Sequence, residues 1–145
     1  EFKFQSMISF FKNNDNVNDN ESFSKIAALL IHTAKIDESY SEDEKIIIKK
    51  TLLELGAKDS NIDKIMATAA TIEENSNQIL DFTREIKNAP QSDKVKIIES
   101  LWKIIYSNND NDIYETSLMR RLAGLLYIDS KIMGDIRDKI KKESL

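Results

Sequence analysis

The chain has no cysteine, which excludes disulfides, thiolate nucleophiles and every zinc site built on sulfur. It has a single histidine, His32, so imidazole clusters for a transition metal are absent too. Three glycines and one proline in 145 residues are too few for a glycine-rich phosphate loop or for the closely spaced turns of a β-sandwich. Acidic residues outnumber basic ones, 25 to 21, and the net charge of −4 offers no electrostatic footprint for nucleic acid. No apolar run approaches the roughly 20 residues that cross a bilayer, and no signal peptide is recognisable. What remains is an acidic helical protein, expected to be soluble and cytoplasmic, with enough chain to bury a core.

Residues 1–6 read as a protease-site scar, since Phe4-Gln5-Ser6 precedes a native-looking start at Met7. Residues 7–20 read as a helical turn and a polar Asn/Asp linker, and 21–145 as one helical domain. From Glu21 the apolar residues Phe23, Ile26, Ala27, Leu30, Ile31 and Ala34 recur at helical spacing, and Ala28 and Leu29 carry the apolar surface round the cylinder. A helix apolar on most faces belongs in the middle of a bundle. A second such helix is expected from Ser92, with Val95, Ile97, Ile98, Leu101, Trp102, Ile104 and Ile105. Between and after them, capping signals at Ser41, Ser60, Ser76, Asp112 and Asp129, and stops at Gly56 and Pro90, predict five more helices. The fold class is therefore all-α, a bundle of about seven helices around two central ones.

The two central helices and their successors superimpose with one fixed shift. Asp37 falls on Asn108 (108 − 37 = 71), Ser41 on Asp112 (112 − 41) and Glu44 on Glu115 (115 − 44). Leu30 falls on Leu101, Ile47 on Leu118 and Leu55 on Leu126 at the same shift of 71. Each half is thus a helix, a polar corner and a second capped helix. Neither half hides its first helix alone, so the two are expected to pack together.

The corners, Ala34 to Glu44 and Ile105 to Glu115, resemble the Ala-x-x-Asp-Gly-x-x-Asp/Ser-x-x-Glu corner of the tellurite-resistance TerB family. A domain of this kind also stands at the front of the membrane-anchored co-chaperone DjlA. Phe82-Thr83-Arg84, Leu101-Trp102 and Leu118 to Ala123 are similar to stand-alone members, and the resemblance runs from about Glu21 to Lys141. The family glycine is Glu38 in the first corner and Asn109 in the second, and the leading Asp of the second corner is Asn108. The resemblance implies a two-halved all-α bundle, a divalent-cation-binding acidic surface and a stress- or envelope-associated role.

Asp37, Glu44, Asp112 and Glu115 are the candidate metal ligands, with Asn108 and Asp110 secondary. Ca²⁺ and Mg²⁺ take several hard oxygens, which paired corners supply. The same residues have a plain structural reading, because Ser41 with Glu44 and Asp112 with Glu115 are two capping boxes. An EF-hand beginning at Asn108 fails, since its sixth position would be Ile113 and its twelfth Met119. His32 reads as a structural histidine. Trp102, Phe82 and Met119 read as core, Tyr40, Tyr106 and Tyr114 as cover for the corners, and Glu42 to Glu44 with Glu73 and Glu74 as solvated charges. The function expected is a non-enzymatic module that acts through a protein partner and a divalent cation, with no nucleic acid and no transmembrane segment. The alternatives are a metal-dependent hydrolase on the paired carboxylates, and a structural adaptor whose Met7 to Phe11 segment docks on a partner or peripherally on a membrane.

Overall fold

The computed structural model describes residues 19–37, 40–76, 80–84, 86–107 and 113–143. The expected scar, linker turn and Met7–Phe11 segment lie outside them. Six helices have thirteen residues or more: α1 (Asp19–Ala34), α2 (Glu42–Glu54), α3 (Ile62–Glu74), α5 (Gln91–Ser107), α6 (Ile113–Leu125) and α7 (Ser130–Glu143). Between α3 and α5, α4 (Leu80–Thr83) is a single turn, and 3₁₀ turns occupy Lys35–Asp37 and Asp59–Asn61. No strand occurs among the described residues, and no described helix is long and apolar enough to cross a membrane.

The helix expected to run from Asn75 or Ser76 to about Asn88 is thus much shorter. After Thr83 the chain continues in turns, with Ile86 and Lys87 N–H groups donating to the Thr83 carbonyl at 3.0 and 3.1 Å. Asn75, Ser76 and Asn88 are residue types whose side chains compete for backbone hydrogen bonds, which favours capping and turning over propagation. Phe82 and Ile86 are still buried in the core.

The all-round apolar character of α1 has its expected consequence. Ile26, Ala27, Ala28, Leu29 and Leu30 are each 0% exposed, which is only possible for a helix walled on every side. Its neighbours are α2, α3, α4 and α5. Helix α5 buries Ile97, Ile98, Leu101, Trp102, Ile104 and Ile105 against α1, α2 and α7. Leu30 and Leu101 belong to one continuous core. At roughly 1.5–3 kcal/mol for each large aliphatic side chain taken fully out of water, these two rods dominate the stability.

The 71-residue shift holds in three dimensions. Helices α2 and α6 begin and end in register (113 − 42 = 71 and 125 − 54 = 71). Their C-termini close alike: Gly56 N–H donates to Leu53 and Ala57 N–H to Leu52, at 3.1 and 2.9 Å, while Tyr127 donates to Gly124 and Ile128 to Ala123, at 3.4 and 2.9 Å. This crossed pair of bonds is a Schellman stop, whose first residue past the helix takes positive φ. Gly56 has φ 113° and its counterpart Tyr127 has φ 57°. The repeat also reaches one helix further than the corners suggest, because buried Ile62, Ile65 and Ala69 of α3 correspond to buried Met133, Ile136 and Ile140 of α7. Each half is therefore a three-helix unit.

Glycine is required at Gly56, where a side chain would be strained. Gly56→Ala is expected to lower stability by about 1–2 kcal/mol, whereas Tyr127→Gly relieves a strained backbone but gives up the ring beside Lys87 and Lys94, so its net change is expected to be smaller. Urea denaturation of the two variants checks this.

Candidate functional site

The first corner forms where α1 tightens into the Lys35–Asp37 turn and the chain re-enters helix at α2. Ser41, in an extended conformation, is the N-cap of α2. Its Oγ accepts from the Glu44 N–H at 3.2 Å, and its own N–H donates to Glu44 Oε1 at 2.7 Å. The predicted capping box is therefore complete. Glu44, however, is 0% exposed, which corrects its reading as a solvated first-turn charge. A carboxyl group out of water needs hydrogen-bond partners, and the Ser41 N–H supplies one.

Tyr40 packs partly buried beside this box. Burial, then the Glu44 and Glu42 carboxylates, push its phenol up to about 12, so it keeps its proton throughout the physiological range. The Lys45 ammonium stands 5.2 Å from the centre of the Tyr40 ring and 3.1 Å from Glu42 Oε1. Tyr40 thus covers the corner as expected, clamped from outside by a lysine.

Helices α2 and α5 run antiparallel. Thr51 Oγ1 donates to Ser100 Oγ at 2.7 Å in the buried interface, and Lys96 Nζ donates to the Glu54 carbonyl at 3.0 Å. Sequence position rises along α2 as it falls along α5, so the start of α2, with Glu44, lies toward the C-terminal end of α5. That end stops at Ser107, whose Oγ donates to the Ile104 carbonyl at 2.7 Å. Of the six predicted ligands, Glu44 alone has a described side chain. Asp37 closes its 3₁₀ turn and Glu115 lies in the first turn of α6, their side chains outside the described residues, as are Asn108, Asp110 and Asp112 altogether. Among the described residues no group of three or more His, Asp or Glu is arranged to hold a metal.

A second polar cluster escaped the sequence reading. His32 Nδ1 lies 3.2 Å from Glu73 Oε2, and Lys35 Nζ donates to Glu73 Oε1 at 2.8 Å. His32 on α1 and Lys35 in the 3₁₀ turn that follows it thereby grip one carboxylate at the end of α3. Glu73 is only 11% exposed, not the solvated last-turn charge expected. Burial opposes its ionisation, but the hydrogen bonds and charges of Lys35 and His32 outweigh that and hold the carboxyl below its ordinary range. The spacing of His32 and Lys35 was the available signal, although a partner 41 residues away leaves no trace in local sequence.

The family model described as "Tellurite resistance protein TerB" matches residues 23–138, from α1 into α7. No curated protein and no solved structure matches the chain.

A carboxylate whose pKa is lower in the folded state stabilises the fold above its ordinary value of 4.5 and loses that contribution as pH falls through the lowered one. Glu73→Gln is expected to cost about 1 kcal/mol near pH 7 and to flatten the acid limb of stability below pH ~5. Urea midpoints measured across pH for both proteins test it.

Proposed function

The chain belongs to the tellurite resistance protein TerB family, and on that premise we propose that it is a non-catalytic module that binds a divalent cation at its paired corners and contacts a protein partner beside them. The observation that supports this reading best is the antiparallel run of α2 along α5, tied by Thr51 to Ser100 and by Lys96 to the Glu54 carbonyl. It turns the beginning of α2 and the end of α5 toward the same end of the bundle, and these are the points from which the two acidic corners extend. In this reading Asp37, Glu44, Asp112 and Glu115 supply hard oxygens, joined by Asn108 and Asp110, in keeping with the taste of Ca²⁺ or Mg²⁺ for carboxylates and amide carbonyls. Glu42, Asp43 and Glu44 stand consecutively at the start of α2, a concentration of negative charge that a cation would relieve.

The partner-facing part of the reading rests on the outer face of α2. Ile46 is 62% exposed and Leu53 41%, seven residues apart and so on one face of the helix. Exposed apolar residues beside a charged corner suit a contact that the cation adjusts. The family's name ties it to tellurite resistance, and membership supports a stress role for this chain. With no cysteine, reduction of an oxyanion by a thiol of this chain is chemically excluded.

Calorimetry and thermal unfolding of metal-stripped protein titrated with Ca²⁺ and with Mg²⁺ test the cation site. The expected result is saturable binding at about 10⁻⁵–10⁻³ M with a rise in Tm, weakened about tenfold in Asp37→Asn and in Asp112→Asn. Absence of both heat and a Tm shift at millimolar concentrations of either ion overturns the cation site.

A further inference from the structure

The two halves are built alike, so a place where the lining of a cavity departs from its counterpart is informative. Between α5, α6 and α7 lies a cavity of about 270 Å³ walled by Trp102, Met119 and Met133. These three are buried, as are their counterparts 71 residues earlier, Ile31, Ile48 and Ile62. Three residues of the lining differ in kind from their first-half counterparts. Ala123 stands where the first half has the buried Leu52, Gly134 where it has Asp63, and Arg137 where it has Met66. A Cβ on Gly134 would meet nothing nearer than the Arg137 guanidinium at 3.9 Å, so backbone contact does not dictate a glycine there.

The charges change in step with the shape. In the first half Lys49 is paired with Asp63 at 3.6 Å. In the second, Arg120 replaces the lysine and Gly134 the aspartate, leaving Arg120 without an ion pair among the described residues. Arg137 lies on the same side of α7, one turn past Gly134, and its only ion pair among the described residues is to its exposed neighbour Asp138, at 3.2 Å through Nε. The hollow thus has soft apolar walls and two guanidinium groups in its lining. The indole Nε1 of Trp102 is buried with no hydrogen-bond acceptor among the described residues, an unusual cost for a wall that serves packing alone.

We propose that this cavity binds a small amphipathic monocarboxylate, its apolar body against Trp102, Met119 and Met133 and its carboxylate held by Arg120 and Arg137. Planar guanidinium groups match a carboxylate through paired hydrogen bonds, and thioether and indole surfaces accommodate flexible or aromatic bodies. The space exceeds the roughly 150 Å³ apolar cavity that admits benzene. This site is separate from the acidic corners and does not depend on cation binding.

Trp102 is the only tryptophan, so its emission reports on this wall alone. Titration with octanoate is expected to change that emission saturably and raise Tm, with octanol and inorganic phosphate each binding at least about tenfold more weakly. Two variants that install first-half residues sharpen the test. Ala123→Leu fills the hollow and should abolish the response without lowering Tm. Arg137→Met, at an exposed position that leaves folding intact, should weaken octanoate about tenfold and leave octanol unchanged. Unaltered emission and Tm at about 1 mM octanoate overturn the proposal, as does octanol or phosphate binding equally well. Concentration-dependent self-association that Ala123→Leu removes would make a second copy of the chain the occupant, and would overturn it too.

Discussion

Two helices with apolar residues around nearly their whole circumference cannot each find cover within their own half, and the rest of the structure follows from how they cover one another. Helix α1 buries five consecutive residues, Ile26 to Leu30, so every face needs a neighbour. Its own half supplies α2 and α3, and α4 and α5 close the remainder. Separating the halves would return several large side chains to water at roughly 1.5–3 kcal/mol each, against a net stability that for a domain is only about 5–15 kcal/mol. The halves must therefore fold as one cooperative unit, and the corners are positioned by that unit rather than by their own loops.

Local chemistry made much of this legible from sequence. The Ser41–Glu44 box, the glycine stop at Gly56 and the match of Leu30 with Leu101 in one core all depend on residues near in sequence or on a pattern repeated twice. The third helix of the repeat was not legible. Ile62 against Met133 and Ala69 against Ile140 keep apolar character but not size or shape, and a repeat judged by residue likeness fades there. Burial of charge was equally hidden. Glu44 and Glu73 look like any acids at helix ends, and only packing shows that one is enclosed by its corner and the other gripped by His32 and Lys35. Of the candidate ligands, the capping role of Glu44 was readable in the sequence. Its complete enclosure was not.

The duplicated frame also explains an awkward residue. Tyr127 occupies a left-handed position that its counterpart fills with glycine, and an exposed aromatic there is strained. The reason lies one helix away. Where the first half plugs its core with the ring of Phe23, the second has Lys94 (94 − 23 = 71), buried, with Nζ donating to the Leu126 carbonyl at 2.7 Å. Burial lowers the pKa of that lysine, so anything that steadies its positive charge is favourable. The Tyr127 ring lies 5.8 Å from Lys94 Nζ and 6.0 Å from Lys87 Nζ, which is cation–π range. Lysine, carbonyl and tyrosine together stand where the first half has a phenylalanine and a glycine.

That exchange shows how this fold separates what must stay from what can vary. The buried rods and the crossed bonds ending α2 and α6 recur in both halves because the shared core fails without them. Other equivalent positions diverge: His32 and Lys35 hold Glu73 in one half, whereas their counterparts are Lys103 and Tyr106, with Tyr106 stacked on Trp102 at 5.9 Å. An ionic clasp on one side is matched by an aromatic pair on the other, next to the cavity walled by Trp102. Duplication supplies an internal control, since both halves face the same folding demand. The region around Trp102, Arg120 and Arg137 departs from its counterpart in both shape and charge, and that departure is what supports reading it for a ligand.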